Sequence, residues 1–250
     1  MDTLNAYTGT VRRCVDDYGM IAPGDRICVG VSGGKDSLVL LAALKHLQRF
    51  YPAPFELEAL TIDLGFPDMD FAPVADWCRT LGVPYTIIPT DIREIVFDVR
   101  QEENPCSLCA KMRRGALMTA IGECGYNKLA LGHHFDDAVE TFVMNLFFEG
   151  RLGCFKPVTY MSRSGVTQIR PLLYCGELRT GNLAAALDLP VVETTCPMDK
   201  TSRRHEIKEL IAQLSVNCPA FRTRVFGAMQ RLPLDGWAPG AAGASPADLL

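Results

Sequence analysis

The stretch Ile27-Cys28-Val29-Gly30-Val31-Ser32-Gly33-Gly34-Lys35-Asp36-Ser37 decides the fold of this chain. A short apolar strand runs into a Gly-rich turn, and the run Ser37 to Leu44 then opens a helix. Gly33 and Gly34 let backbone N–H groups approach an anion with no Cβ in the way. The unpaired N–H groups at the helix start add the positive end of its dipole, so the turn is built to hold phosphate. The Gly-x-x-x-x-Gly-Lys-Ser/Thr loop does not fit, because Val29 stands at its first glycine and Asp36 at its metal-binding hydroxyl. Gly-x-Gly-x-x-Gly fails as well, with Ser32 at the second glycine. Lys35 can pair with phosphate as a point charge, and Ser32 and Ser37 can donate hydrogen bonds to it. Asp36 beside a triphosphate needs a cation between them, and reads as a Mg²⁺ ligand.

Outward from this turn the pattern alternates. An amphipathic helix over Leu4 to Tyr18 precedes the first strand, Arg26 to Val31, and Pro23-Gly24-Asp25 separates the two. Helix Ser37 to Arg49, strand Glu56 to Ile62, helix Phe71 to Leu81 and strand Tyr85 to Ile88 follow. An irregular stretch to Pro105 leads to helix Ser107 to Glu123, strand Lys128 to Leu131 and helix Asp136 to Phe148, in which Val139, Phe142, Val143 and Leu146 share one face. The remainder reads as strand Val166 to Arg170, helix Gly176 to Leu187, strand Val191 to Thr194, and helices Ser202 to Leu214 and Ala220 to Arg231. Such alternation means right-handed βαβ units: an α/β, Rossmann-like fold with a parallel sheet and helices on both faces. The expected organisation is an N-terminal helix over 1–25, one nucleotide-binding domain over 26–231, and a Gly/Ala/Pro-rich tail over 232–250 that is expected to be disordered.

In an open parallel sheet, ligands lie beyond the carboxyl ends of the strands. Three strings fall there: Ser32 to Ser37, Thr61-Ile62-Asp63-Leu64-Gly65, and Leu131-Gly132-His133-His134-Phe135-Asp136-Asp137. Asp63 can accept a hydrogen bond from a nucleoside. Gly132 permits close backbone approach, His133 can meet phosphate or adenine, and Asp136 or Asp137 can hold metal. The same Asp pair can also be read as a helix N-cap and a dipole-favoured acid in the first turn.

A second constellation is Pro105-Cys106-Ser107-Leu108-Cys109 at a helix start. Two thiolates at this spacing reach one metal, and Cys196 in Thr195-Cys196-Pro197 is the best candidate for a third. Three thiolates without a fourth suit a cluster or metal with an open coordination position more than a closed zinc site. A thioredoxin-like redox pair and two packed thiols are the competing readings. Cys14, Cys28, Cys78 and Cys124 sit within or beside apolar patterns that packing explains.

With 250 residues and 48% hydrophobic content, the chain can bury the core of one large domain. Its longest apolar run, Leu38 to Leu44, is far short of a membrane span. The start Met1-Asp2-Thr3-Leu4 lacks the basic and apolar regions of a signal peptide, so a cytoplasmic protein with reduced thiols is expected. The net charge of -4 argues against indiscriminate coating of nucleic acid. Residues 1–100 carry nine Lys/Arg against fourteen Asp/Glu, whereas residues 101–231 carry sixteen against thirteen, which makes the second half the better face for a polyanion.

The string Ser32-Gly33-Gly34-Lys35-Asp36-Ser37 resembles the PP-loop of the N-type ATP pyrophosphatases. Together with Pro105 to Leu117, Leu131 to Thr141 and Cys196 to Arg204, in this order, it is similar to the TtcA-like family, which includes the tRNA 2-thiocytidine biosynthesis enzymes. The likeness spans Val29 to Ala228. It implies an adenine nucleotide α-hydrolase fold and a tRNA sulfurtransferase that thiolates cytidine 32 using ATP and Mg²⁺. It also implies a 4Fe-4S cluster on Cys106, Cys109 and Cys196. By this resemblance, Lys35, Asp36, Asp136 and Asp137 serve adenylation, and Ser32, Gly33, Gly34, Ser37, Asp63, Gly132 and His133 bind the nucleotide. Lys111, Arg113, Arg114, Arg203 and Arg204 flank the cysteines and are candidates for tRNA phosphates. The candidate partners are tRNA, a sulfur donor such as a cysteine desulfurase system, and a second copy of the chain in a homodimer, with no membrane. The alternatives are a PP-loop ligase for another tRNA base or a small molecule, and an ATP-binding module with a structural zinc.

Overall fold

The computed structural model describes residues 3–101, 105–193, 195, 196, 198, 203–231 and 234–237. Helix α1 (Leu4–Asp17) begins where the Thr3 hydroxyl accepts from the Ala6 N–H at 3.3 Å. It buries Tyr7, Val11, Cys14 and Val15, which recur at helical spacing on one face. Then follow β1 (Arg26–Gly30), α2 (Lys35–Gln48), β2 (Glu56–Asp63), α3 (Ala72–Leu81) and β3 (Tyr85–Pro89). A π-helical segment, Glu94–Arg100, precedes α4 (Pro105–Cys124), β4 (Lys128–Ala130), α5 (Phe135–Glu149), β5 (Val158–Met161) and β6 (Val166–Ile169). Helices α6 (Glu177–Ala186), α7 (Arg203–Asn217) and α8 (Phe221–Arg231) complete the order.

The six strands lie in the order β3-β2-β1-β4-β6-β5, parallel throughout except for β5, which pairs antiparallel with β6 at the edge. The period of two along each strand splits the core between the faces. Ile27, Val29, Ala59 and Ala130 face the larger core with α1, α2 and α5, while Cys28, Leu60, Ile62 and Leu129 face a smaller one closed by Leu117 and Ile121 of α4. Chain order reverses between β1 and β4, and that switch point leaves a crevice at their carboxyl ends.

Five expectations need correction. The edge strand β5 was not anticipated, since its four residues are only half-buried and show no clean alternation. Residues 191–193 form no strand; the Val192 N–H donates instead to the Gly33 carbonyl at 3.0 Å, and Thr194 lies outside the described residues. Leu146 is exposed on α5, unlike Val139 and Val143 of the same stripe, and Cys124 is exposed at the end of α4. The expected disordered tail is in part core. Trp237 is fully buried, its indole N–H donating to the Phe155 carbonyl at 3.1 Å and its own carbonyl accepting from the Tyr18 hydroxyl at 3.3 Å. Residues 232, 233 and 238–250 of that tail, and Ser202 at the expected start of α7, lie outside the described residues.

Candidate active site

The phosphate turn is held by its own hydroxyls. The Ser37 hydroxyl donates to the Gly34 carbonyl at 2.8 Å and accepts from the Ser32 N–H at 3.1 Å, while the Ser32 hydroxyl lies 3.3 Å from it. Gly33 sits at φ +84°, and a Cβ there would lie 2.9 Å from the Val192 Cβ, so only glycine fits. Gly132, on the turn after β4, comes so close that an added Cβ would sit 3.1 Å from the Asp36 carbonyl carbon and the Ser37 nitrogen. The two turns at the switch point therefore meet backbone to backbone.

Between them opens a cavity of about 250 Å³. Its polar wall includes Ser32, Asp36, Ser37, His133, Asp137 and Arg113; its apolar wall includes Phe71 and Leu117. One oxygen of Asp36, Oδ1, is buried with no hydrogen-bond partner among the described residues, and His134 Nε2 is 3.9 Å from it. Its other oxygen meets Lys35 Nζ at 3.1 Å. An orphaned carboxylate oxygen beside a phosphate turn is what a divalent cation would satisfy, so this donor fits Mg²⁺. His133 is half-buried against Phe155, with its Nδ1 atom buried and also without a partner among the described residues. Burial, reinforced by the Arg170 charge, lowers its pKa to about 4, so at neutral pH it is an uncharged imidazole.

Lys35 leans toward α6. Its Nζ is 3.8 Å from Glu177 Oε1, and the Lys208 ammonium of α7 donates to that same oxygen at 2.7 Å. Burial pushes the Glu177 carboxyl up, but the hydrogen bond and charge of Lys208, with the charge of Lys35, outweigh it and hold the carboxyl below its usual value. Glu177 escapes a reading of the sequence because, at the first position of a helix, it looks like a dipole-favoured acid.

The Asp pair divides. Asp137 Oδ2 accepts from the His134 N–H at 2.9 Å in a capping box, Oδ1 accepts from Arg204 at 3.2 Å, and the residue lines the cavity. Asp136 is turned away: one oxygen accepts from Arg222 of α8 at 2.7 Å and the other from the Glu177 N–H at 2.7 Å, which ties three helices together. Asp63 is likewise committed locally, accepting from the Gly65 N–H at 2.9 Å, and is absent from the cavity wall.

None of the three cysteines lines the cavity, but Arg113 of its wall bears on one of them. Cys106 is exposed, and Cys109 and Cys196 are half-buried, on segments far apart in sequence. Burial pushes the Cys109 thiol above its ordinary value, Arg113 draws it down, and Cys196 and then Cys106 push it further up. One thiol thus feels both of the others and a cation that also lines the nucleotide cavity. Among the described residues no three such side chains are already closed around a metal-sized space. Three gathered soft donors on two segments still fit an iron–sulfur cluster, whose thiolates span several ångströms. Of the other cations expected near them, Arg204 is bound to Asp137 and to Thr141 at 3.3 Å, and Arg203 lies over the Phe148 ring at 5.3 Å. Lys111 and Arg114 point away from the cavity, across α4.

The model of a PP-loop domain matches residues 8–214. Among curated relatives, the tRNA-cytidine(32) 2-sulfurtransferase of Pelobacter propionicus is 39% identical over 89% of this chain and 84% of its own length. That of Geobacter sulfurreducens is 40% identical over 88% and 86%. The chain belongs to the PP-loop family of tRNA-cytidine(32) 2-sulfurtransferases. Among solved structures, the U34-tRNA thiolase NcsA from Methanococcus maripaludis, with its [4Fe-4S] cluster, superposes with a TM-score of 0.76 at 26% identity, over 92% of this chain and 79% of that one. The fold alone is shared with the NMN synthetase of Francisella tularensis, with a TM-score of 0.51 and 16% identity over 94% of this chain and 99% of that one. No helix among the described residues is long and apolar enough to cross a membrane.

Proposed function

We propose that this protein is a cytoplasmic tRNA sulfurtransferase that converts cytidine 32 to 2-thiocytidine at the expense of ATP. The observation that carries the reading is the shared wall: Arg113 of α4 lines the nucleotide cavity and at the same time bears on the Cys109 thiol. Activation of a base and delivery of sulfur can thereby occur at one place. A pyrimidine C2 oxygen leaves poorly as such. Attack of that oxygen on the α-phosphorus of ATP releases pyrophosphate and makes it part of an AMP ester; a sulfur nucleophile then adds at C2, and AMP departs with the oxygen.

The residues of the chain divide this work. The Ser32–Ser37 turn and the start of α2 receive the phosphates, and Lys35, held by Glu177, neutralises charge as pyrophosphate forms. Asp36 would hold Mg²⁺, which supplies charge neutralisation at the phosphates. The uncharged His133 imidazole keeps a nitrogen open inside the cavity as a hydrogen-bonding partner for a base or ribose. Asp137, oriented by Arg204 and its capping box, faces the same space and is the remaining candidate for the adenylation step. Asp136 serves by position only. Cys106, Cys109 and Cys196 would hold a 4Fe-4S cluster, which supplies an iron without a protein thiolate where sulfur can be presented. The sulfur donor is a separate system such as a cysteine desulfurase, and two copies of the chain can act as a homodimer.

The test is reconstitution. Anaerobically purified protein incubated with unmodified tRNA, ATP, Mg²⁺ and sulfide should yield 2-thiocytidine by nucleoside mass spectrometry, with one pyrophosphate per sulfur inserted. Pyrophosphate release with no thionucleoside, from a colourless protein, would favour a ligase of the same fold instead.

A further inference from the structure

A second concavity, of about 900 Å³, lies on the side of α4 opposite the nucleotide cavity, between that helix and the β5–β6 hairpin. Its floor is one stripe of α4: Lys111, Arg114, Gly115, Met118 and Gly122, which recur at helical spacing. Neither Gly115 nor Gly122 has any atom within 4 Å of where a Cβ would stand, so the helix backbone is laid open along this stripe. The opposite wall is Tyr160 to Ser164 of the hairpin. That wall is preformed, because the Ser164 and Gly165 N–H groups donate to the Met161 carbonyl at 3.1 and 2.9 Å, and the Ser164 hydroxyl reaches Met118 Sδ at 3.7 Å across the groove.

The chemistry of the groove differs from that of the rest of the surface. Lys111, Arg114 and Arg163 line it, against one acid, Glu123, in a chain whose net charge is -4. By contrast, several cations of the second half are paired: Arg204 with Asp137, Arg222 with Asp136, Lys208 with Glu177. The three groove cations form no ion pair among the described residues. Beside them Tyr160 presents its ring to solvent at 66% exposure, on a strand where an apolar side chain gains nothing from water. Unpaired cations interleaved with an exposed aromatic, along an open backbone, make a surface for a single-stranded polyanion whose units carry flat rings. Position agrees with this. Arg113 and Arg114 are adjacent, yet one lines the nucleotide cavity and the other the groove, so α4 is the partition between them. The groove runs from the turn that bears Cys109 to Gly122, about 20 Å at the rise of an α-helix.

Resting on the tRNA reading above, we infer that this groove carries the RNA strand adjoining the reacting nucleoside, with phosphates on Lys111, Arg114 and Arg163 and a base stacked on Tyr160. The hairpin residues test this, since neither Tyr160 nor Arg163 lines the nucleotide cavity. In the iron-loaded full chain, Arg163→Ala should weaken tRNA binding several-fold and reduce the slope of log K against log salt by about one. Tyr160→Ala should weaken it by roughly 5- to 100-fold with the slope unchanged, and Tyr160→Phe should restore it. Iron content, ATP binding and melting temperature should stay at wild-type values in all three. If the unaltered protein binds no tRNA at low salt, the tRNA reading itself fails. If it binds and thiolates tRNA while Arg163→Ala, Tyr160→Ala and their double variant keep wild-type affinity and slope, the groove assignment is overturned. A double variant that binds tRNA normally but loses sulfur transfer only from a donor protein, not from free sulfide, overturns it too and marks a protein-docking surface.

Discussion

The phosphate turn and the cysteine group lie at the same sheet edge but are built in opposite ways. The turn is one continuous segment, closed by the Ser32 and Ser37 hydroxyls, pressed by Gly132 from the neighbouring turn and seated on two strands of the sheet centre. The cysteine group is assembled from two segments far apart in sequence, with Cys106 exposed and Cys109 and Cys196 half-buried, and the Cys109 thiol feels the other two. A nucleotide site can be preorganised by backbone alone, because N–H groups need no ligand to hold their direction. Three sulfurs that would become like charges as thiolates need the metal centre to close the set.

That contrast can be broken most sharply at the cysteines. Replacing Cys106, Cys109 or Cys196 with Ala should abolish bound iron and lower tRNA thiolation by roughly a thousandfold or more, with ATP affinity within about twofold of wild type. Cys14→Ala, at a buried packed thiol, should leave iron content in place. Iron quantification, visible absorption and nucleotide titration check this; coupled loss of ATP binding would mean that the two regions are one cooperative unit.

The next effect belongs to the turn. Asp36→Asn keeps shape but removes the charge of the orphaned oxygen, and should cut pyrophosphate release by about 10²- to 10³-fold. The melting temperature should hold or rise, since a partly buried carboxylate lacking a full set of partners is no longer carried. A stopped assay for pyrophosphate and a thermal melt read the two outcomes separately.

Smaller, and of stability more than chemistry, is the effect at Asp136. With its oxygens committed to Arg222 and the start of α6, Asp136→Asn should cost about 1–3 kcal/mol of stability. Measured well below the melting point, turnover should remain near wild type, whereas Asp137→Asn should lose turnover without comparable destabilisation. Equal loss of turnover in both would return Asp136 to the catalytic set.

The smallest effect is the pH dependence set by His133. Its folded pKa, about 4, lies below the ordinary imidazole value of 6.5, so between these values the unfolded chain binds more protons than the folded one. Stability contributed by the neutral imidazole is full above about pH 6.5 and is lost as pH falls toward 4. Denaturant titrations across that window should show stability falling with acid, and His133→Gln should flatten that part of the slope.

The sequence by itself determined the alternation of strands and helices, the phosphate turn and the C-x-x-C helix start, because each is written in local periodicity or in residues a few positions apart. Ser32, Asp36, Ser37, Gly132 and His133 were legible in this way, and they do meet at one cavity. What pairing across the chain decides was not legible. The two aspartates are neighbours in an α-helix, about 100° apart around its axis, so one faces the cavity and the other faces Arg222, a residue 86 positions away. Arg113 and Arg114 are split by the same rotation between two concavities. Glu177 gained its place beside Lys35, and Trp237 its place in the core, only when distant elements packed against them. Composition marked that last stretch as a tail, but a buried indole whose N–H finds a carbonyl is stable wherever the fold provides both.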